Sequence, residues 1–445
     1  MKTKANTSLT GSDYFVLALD QQMRSAGLPG NISRLVLRLE GALDLHTFRE
    51  VVNNCDIAHT LAGLRMRRML PFTKPYWSFT GSNGLLPIAE YKAVLPTDNW
   101  GGICNSYMNR LPSLNKTPGI AFDLIAYPDN ITDLVLNWHH GLMDARGAEF
   151  LLQQIVEPKV DVTLSDSQSL RNNSYSQTTG LYDKLNLPRR LLFARRSLVF
   201  IEQVHRQPIV SFTPDDKKVY QPKQVYTVVD FSDSDSAVIR DNCEKIGAGF
   251  YWSLFVLSAT VRALHAIRIK RGDYDGAYVV PVPQDLRRRR QAGPVLSNHV
   301  TFLFYRVEQR DIVDIGGLVA SLKHQMAEQV RSELPYSFAI AMKMFRYMPL
   351  SLYSKILSWP SHGKMATLFF SDTGESLSNM KDFLGLPVLG VYHLAPVPLP
   401  PGIAVISGRF RERIHIVLSS VTGCLTDSER ELFQETIRVE LLGKR

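Results

Sequence analysis

Two adjacent histidines and an aspartate four positions beyond them, His139-His140-Gly141-Leu142-Met143-Asp144, are the side chains of this 445-residue sequence best suited to chemistry. A neutral imidazole, with an ordinary pKa near ~6.5, accepts a proton from an alcohol or amine at physiological pH and returns it later. His140 is the expected general base, with His139 and Asp144 completing the catalytic set. Asp144 has three roles open to it: orienting the imidazole, capping the helix that follows, or pairing with a distant arginine. A metal site would need a fourth partner or water, and the sequence has neither an HExxH pattern nor a cysteine cluster, so no metal is expected.

The flanking sequence predicts how these groups are held. The apolar run Leu134 to Trp138 predicts a short buried strand, and Ala148 to Val156 has the apolar spacing of a helix. The motif therefore falls where a strand stops and a helix starts, so its side chains can reach a cleft from a fixed backbone. Ile120 to Tyr127 and Ile131 to Trp138 flank the turn Pro128-Asp129-Asn130, a hairpin pattern that braces the strand carrying the histidines.

His139-His140-Gly141-Leu142-Met143-Asp144 resembles the HHxxxD signature of the chloramphenicol-acetyltransferase-like superfamily. That group includes condensation domains of nonribosomal peptide synthetases, wax ester synthases, polyketide-associated acyltransferases and BAHD acyltransferases. Many members have glycine directly after the aspartate, whereas this chain has Ala145 and places its glycine at Gly147. The BAHD hallmark DFGWG is missing, which points towards the bacterial or fungal branches. The resemblance is nearest in style to wax ester synthases and polyketide-associated acyltransferases. It implies an α/β fold with mixed sheets, in two lobes around a central channel, and transfer of an acyl group from a thioester to a hydroxyl or amine.

The rest of the chain fits two mixed α/β halves. Ser12 to Ala26 predicts a helix, Ser33 to Glu40 a half-buried strand, Asp44 to Asn54 a helix and Leu64 to Leu70 a strand. Residues 71–118, rich in Pro, Gly, Asn and aromatics, predict loops with one or two short strands. Asp161 to Thr179 has the polar composition of a connector. Strands are expected at Val225 to Phe231, Tyr278 to Pro283, Val300 to Val307, Ala366 to Phe370, Val388 to His393, Ile403 to Phe410 and Arg413 to Ser419. Helices are expected at Asp233 to Gly247, Phe250 to Lys270, Ile315 to Arg331 and Phe338 to Trp359. Thr426-Asp427-Ser428-Glu429 forms a capping box for a closing helix. The expected organisation is an N-terminal lobe over 1–160, a connector over 161–224 and a C-terminal lobe over 225–445.

Within the second half, Val282-Pro283-Gln284-Asp285-Leu286-Arg287 resembles the superfamily segment whose arginine pairs with the motif aspartate. Arg287 would then tie the lobes together through two charge-assisted hydrogen bonds; the alternative is a solvated basic turn continuing through Arg290. Asn298 resembles the asparagine that precedes the corresponding strand in wax ester synthases and condensation domains, and would shape a tunnel wall. Ser371, in Phe369-Phe370-Ser371-Asp372-Thr373-Gly374, is a candidate donor to a developing oxyanion.

Length beyond what one core usually serves predicts two domains or two halves around a cleft, and 45% hydrophobic with 21% charged residues is ordinary for a soluble globular protein. The formal charge of +9 favours anionic partners. No nucleic-acid motif accompanies it, so the phosphates of coenzyme A or an acidic acyl-carrier protein fit better, beside a merely solubilising role. Pro188 to Ile201 is amphipathic with a basic face, either a surface helix packed on its own domain or a patch that touches anionic lipid, as a peripheral membrane contact, or a carrier protein. Four scattered cysteines, a polar N-terminus without a signal-peptide core and no uninterrupted apolar run of membrane-crossing length predict a cytoplasmic protein. No bound cofactor is expected; the thioester of acyl-CoA or phosphopantetheine would be a co-substrate, and a small molecule the acceptor. The competing functions are a free-standing condensation enzyme joining carrier-bound substrates and a non-catalytic binding protein. The expected mechanism has no covalent intermediate, because neither a GxSxG elbow nor a cysteine beside a histidine is present.

Overall fold

The computed structural model describes residues 7–81, 86–93, 114, 117–157, 184–213, 222–273, 275–286, 296–358 and 364–443. The motif strand, Ile131–His139, lies inside a six-stranded sheet. On one side it pairs antiparallel with Ile32–Glu40, placing His139 opposite Ile32, and on the other with Ile120–Tyr127, placing Trp138 opposite Ile120. Paired on both edges and covered on both faces, it is buried from Thr132 to His139, which explains its nearly unbroken apolar sequence. Leu386–Leu394, from far along the chain, is hydrogen-bonded to the other edge of Ile32–Glu40.

A second, four-stranded sheet runs in the order Phe369–Glu375, Ile403–Phe410, Arg413–Val421 and Gln224–Asp230. Its first strand is parallel to the second; the other pairs are antiparallel. The two sheets meet through a small core in which Val36, Val135 and Leu394 pack with Tyr226, Ile406 and Val417. A two-stranded antiparallel ribbon, Tyr278–Asp285 with Val300–Val307, completes the surroundings of the site.

Most expected elements are present, with shifted ends. The motif helix is Ala145–Val156, starting three residues before the expected Ala148 because Asp144 caps it. The helix expected over Phe338 to Trp359 is two helices, Leu334–Phe345 and Leu350–Ser358, separated at Pro349, which cannot continue the first. The strand expected at Ala366 to Phe370 is Phe369–Glu375, so Ser371 and Asp372 lie within it. The strand from Leu64 stops at Arg67, and a short helix, Asp56–Gly63, precedes it. The basic amphipathic segment is the helix Leu187–Val204. Gly249–Arg271 is long and apolar enough to cross a membrane, but it is the central helix of a core and most of it is buried.

Candidate active site

The end of the motif strand gives two neighbouring histidines different surroundings. His139 is 2% exposed, with Nε2 3.2 Å from Asp20 Oδ1 and Nδ1 accepting the Gly141 N–H at 3.1 Å. Because a backbone N–H only donates, Nδ1 carries the lone pair and the Nε2 proton faces the carboxylate. Asp20 also accepts the Asn31 N–H and the Arg24 Nε–H, both at 2.8 Å. Burial opposes its charge, yet His139 and Arg24 hold this carboxyl far below the usual range. Space after the pair is tight: a Cβ at Gly141 would lie 3.2 Å from both His139 Nδ1 and Leu17 Cδ2, so a larger residue there would push one of these side chains aside.

His140 is fixed through its backbone instead. Its N–H donates to Asn31 O at 2.9 Å, and its carbonyl accepts from Asn298 Nδ2 at 2.8 Å. The imidazole lines a cavity of about 320 Å³, and Nδ1 is buried without a well-formed hydrogen bond among the described residues. Burial lowers its pKa below the ordinary 6.5, against the pull of its own carbonyl and the Asp144 charge. The neutral, proton-accepting form is favoured.

Asp144 caps the motif helix through Oδ1, which accepts the Gly147 N–H at 3.1 Å, while Oδ2 receives the His299 N–H at 3.4 Å. The capping role is thus realised, and the same carboxylate reaches the second half of the chain. Asn298 is 1% exposed and sits behind the motif loop, with its N–H and Nδ2 on Asp13 Oδ1 at 2.6 and 2.9 Å. Asp13 forms a capping box with Thr10, and the Ser297 N–H donates to Leu142 O at 2.6 Å. The first helix, the motif loop and residues 297–299 are therefore clasped together.

A second clasp lies across the cavity. Arg146 donates to the carbonyls of Thr373 and Glu375 at 2.6 and 2.9 Å and to Glu149 Oε2 at 2.8 Å. Glu149 in turn meets His393 Nε2 at 3.0 Å. Burial opposes the charge of Glu149, but His393 and Arg146 lower its pKa. Ser371 and Asp372 line the same cavity as His140. Burial raises the pKa of Asp372, partly offset by the Ser407 hydroxyl at 2.7 Å. Arg287 lies outside the described residues, as does Cys104. Asp20, Asp13 and Arg146 were not singled out from the sequence. Thr10-Gly11-Ser12-Asp13 has a capping pattern, and Arg146 with Glu149 has i,i+3 spacing, so two of the three left a local signal.

Among the described residues no group of three His, Cys, Asp or Glu side chains is arranged to hold a metal ion. No family model and no curated protein matches the sequence. Solved structures do match, over nearly the whole chain. The first condensation domain of the CDA synthetase has a TM-score of 0.66 at 14% identity, covering 100% of this chain and 97% of that one. The chain has the two-lobed fold of condensation domains. The condensation domain of the Monacolin K polyketide synthase MokA gives 0.61 at 12% identity, covering 99% and 97%. The wax ester synthase/diacylglycerol acyltransferase from Marinobacter aquaeolei VT8 gives 0.59 at 15%, covering 98% of each chain. The fold is thus shared with a wax ester synthase/diacylglycerol acyltransferase as well as with condensation domains, and the cavity wall draws residues from both halves of the sequence.

Proposed function

We propose that this protein transfers an acyl group from a thioester to a hydroxyl or amine, with His140 as general base. The observation that carries this reading is the contrast within the histidine pair: His139 has both ring nitrogens engaged, whereas His140 lines the cavity in its neutral form. Nδ1 is the buried ring nitrogen, so this reading places the ring proton there and makes Nε2 the basic atom. The acceptor O–H or N–H gives its proton to Nε2 as the new bond to the thioester carbonyl forms. The C–S bond then breaks, and the imidazolium returns the proton to the thiolate. General-base assistance of this kind contributes roughly 10²- to 10⁴-fold. Ser371, on the facing strand, is the candidate donor to the tetrahedral oxyanion, where one such bond is worth on the order of 10²- to 10³-fold. Asp144 holds the loop, and His139 positions its neighbour.

The donor is the pantetheine thioester of coenzyme A or of an acidic carrier protein, either of which suits a chain of charge +9. A second reading, condensation of carrier-bound substrates, is favoured by the fold shared with the condensation domains of the CDA synthetase and MokA. Purified protein incubated with acyl-CoAs of varied length and a panel of alcohols and amines, with products read by intact mass, tests both. Ester or amide from free acyl-CoA, absent with His140→Ala, supports the first. Product only from an acylated carrier supports the second. Product formation unchanged in His140→Ala would remove the base role from both.

A further inference from the structure

Asp372 lines the His140 cavity of about 320 Å³ and takes no part in the proton transfer at His140. Its Oδ1 is held by the buried Ser407 hydroxyl at 2.7 Å and the Gly374 N–H at 3.3 Å, whereas Oδ2 accepts no hydrogen bond among the described residues. The strand Phe369–Glu375 is fixed to the motif helix, because Arg146 donates to the carbonyls of Thr373 and Glu375 on either side of Gly374. Pairing with Ile403–Phe410 shifts register between Asp372 and Glu375, and an irregularity of this kind re-aims the side chains at a strand end. Asp372 therefore has a fixed place in the cavity wall.

The cations around it are committed elsewhere. Arg146 is bound by those two carbonyls and by Glu149 Oε2. Arg409 lies 3.9 Å from Glu375 Oε2 and 5.3 Å from the centroid of the Trp252 ring. Arg34, on the same lining, donates through Nη1 to Ile32 O and the Tyr226 hydroxyl at 3.0 and 2.8 Å. Burial raises the pKa of Asp372, and Ser407, Gly374, Arg409 and Arg146 offset it only in part. A buried carboxylate short of counter-charge favours a ligand that brings one.

Resting on the acyl-transfer reading, we infer that Asp372 selects an acceptor that carries a primary ammonium group apart from its nucleophile, the class of amino alcohols and diamines. The ammonium donates to Oδ2 while the hydroxyl or second amine lies at His140 Nε2. It keeps its three protons, and no bond to it forms or breaks. The ion pair is neutral as a whole, so the carboxylate does not oppose the oxyanion assigned to Ser371. Asp372 is thus a specificity residue and not a second base.

Acceptor pairs matched in heavy atoms test this, from ethanolamine against propanol to aminobutanol against pentanol, each with acyl-CoA. The best amino alcohol is expected to exceed its neutral partner roughly 10- to 10²-fold in kcat/KM, the size of one charge-assisted hydrogen bond. Asp372→Asn keeps the shape and removes the charge; it is expected to bring the two members of each pair level, through KM more than kcat. Melting temperatures check folding, and if Asp372→Asn does not fold, the wild-type ratio decides. Calorimetric titration of His140→Ala with the same pairs reads binding without turnover. A preference for amino alcohols there, beside no acyl transfer by the wild type, keeps the ammonium site and removes the reaction. Equal use or equal binding of the two members, or a preference that persists in Asp372→Asn, overturns the inference and leaves acyl transfer standing wherever product forms.

Discussion

His139 and His140 are covalent neighbours of identical chemistry, yet they occupy opposite kinds of surroundings. The region behind the strand end, with Asp20, Asn31 and Gly141, is a closed hydrogen-bond set in which His139 already donates and accepts. The region in front is a cavity whose wall leaves the His140 ring with no strong side-chain partner among the described residues. The difference teaches that a tandem motif divides its labour: one ring fixes the loop, and the other keeps its lone pair for a reactant. Burial lowers the proton affinity of the second ring, whereas Asp20 gives the first a partner for its proton.

Substitutions on the two sides should therefore separate. His140→Gln is expected to lower kcat/KM roughly 10²- to 10⁴-fold in steady-state assays. Its melting temperature should change little, because no side-chain hydrogen bond is lost. His139→Ala should show the reverse emphasis. It leaves Asp20 short of one buried partner, and denaturant melts should record a loss of about 1–3 kcal/mol, with a smaller fall in rate through misplacement of His140. Asn298→Ala removes the link between Asp13 and the His140 carbonyl and is expected to cost about 1–2 kcal/mol in the same measurement. The smallest effect is expected from Arg146→Lys on the far clasp, where a half-exposed side chain keeps its charge and loses its fork of carbonyl contacts. A loss of about 1 kcal/mol or less, with little change in kcat, is expected there.

The motif strand was legible because burial on both faces demands a continuous apolar run, and the histidine pair because its spacing is tied to a strand end. The cap at Asp144 was legible for the same local reason. What sequence did not yield is the partner of each group. Asp20 meets His139 from more than a hundred residues away, and Asn298 meets the His140 carbonyl across 158 positions. No periodicity encodes either contact. Element ends failed where a cap or a proline acts within one turn, as at Ala145 and Pro349. Ser371 was read as following a strand, but parallel pairing of Phe369–Asp372 with Ala404–Ser407 carries the strand through it.

The pH dependence of kcat/KM, measured for wild type and His140→Gln side by side, tests the central claim most directly. A histidine whose folded pKa is depressed stays neutral below its ordinary value of 6.5. Its contribution to stability is present above that pH and is lost as pH falls through the lowered folded value. The wild type is therefore predicted to hold its rate through pH 6.5 and to lose it, with a slope of one, only at lower pH. The variant should keep a low rate without that limb. The same acid limb in both proteins would contradict the assignment of the proton to His140.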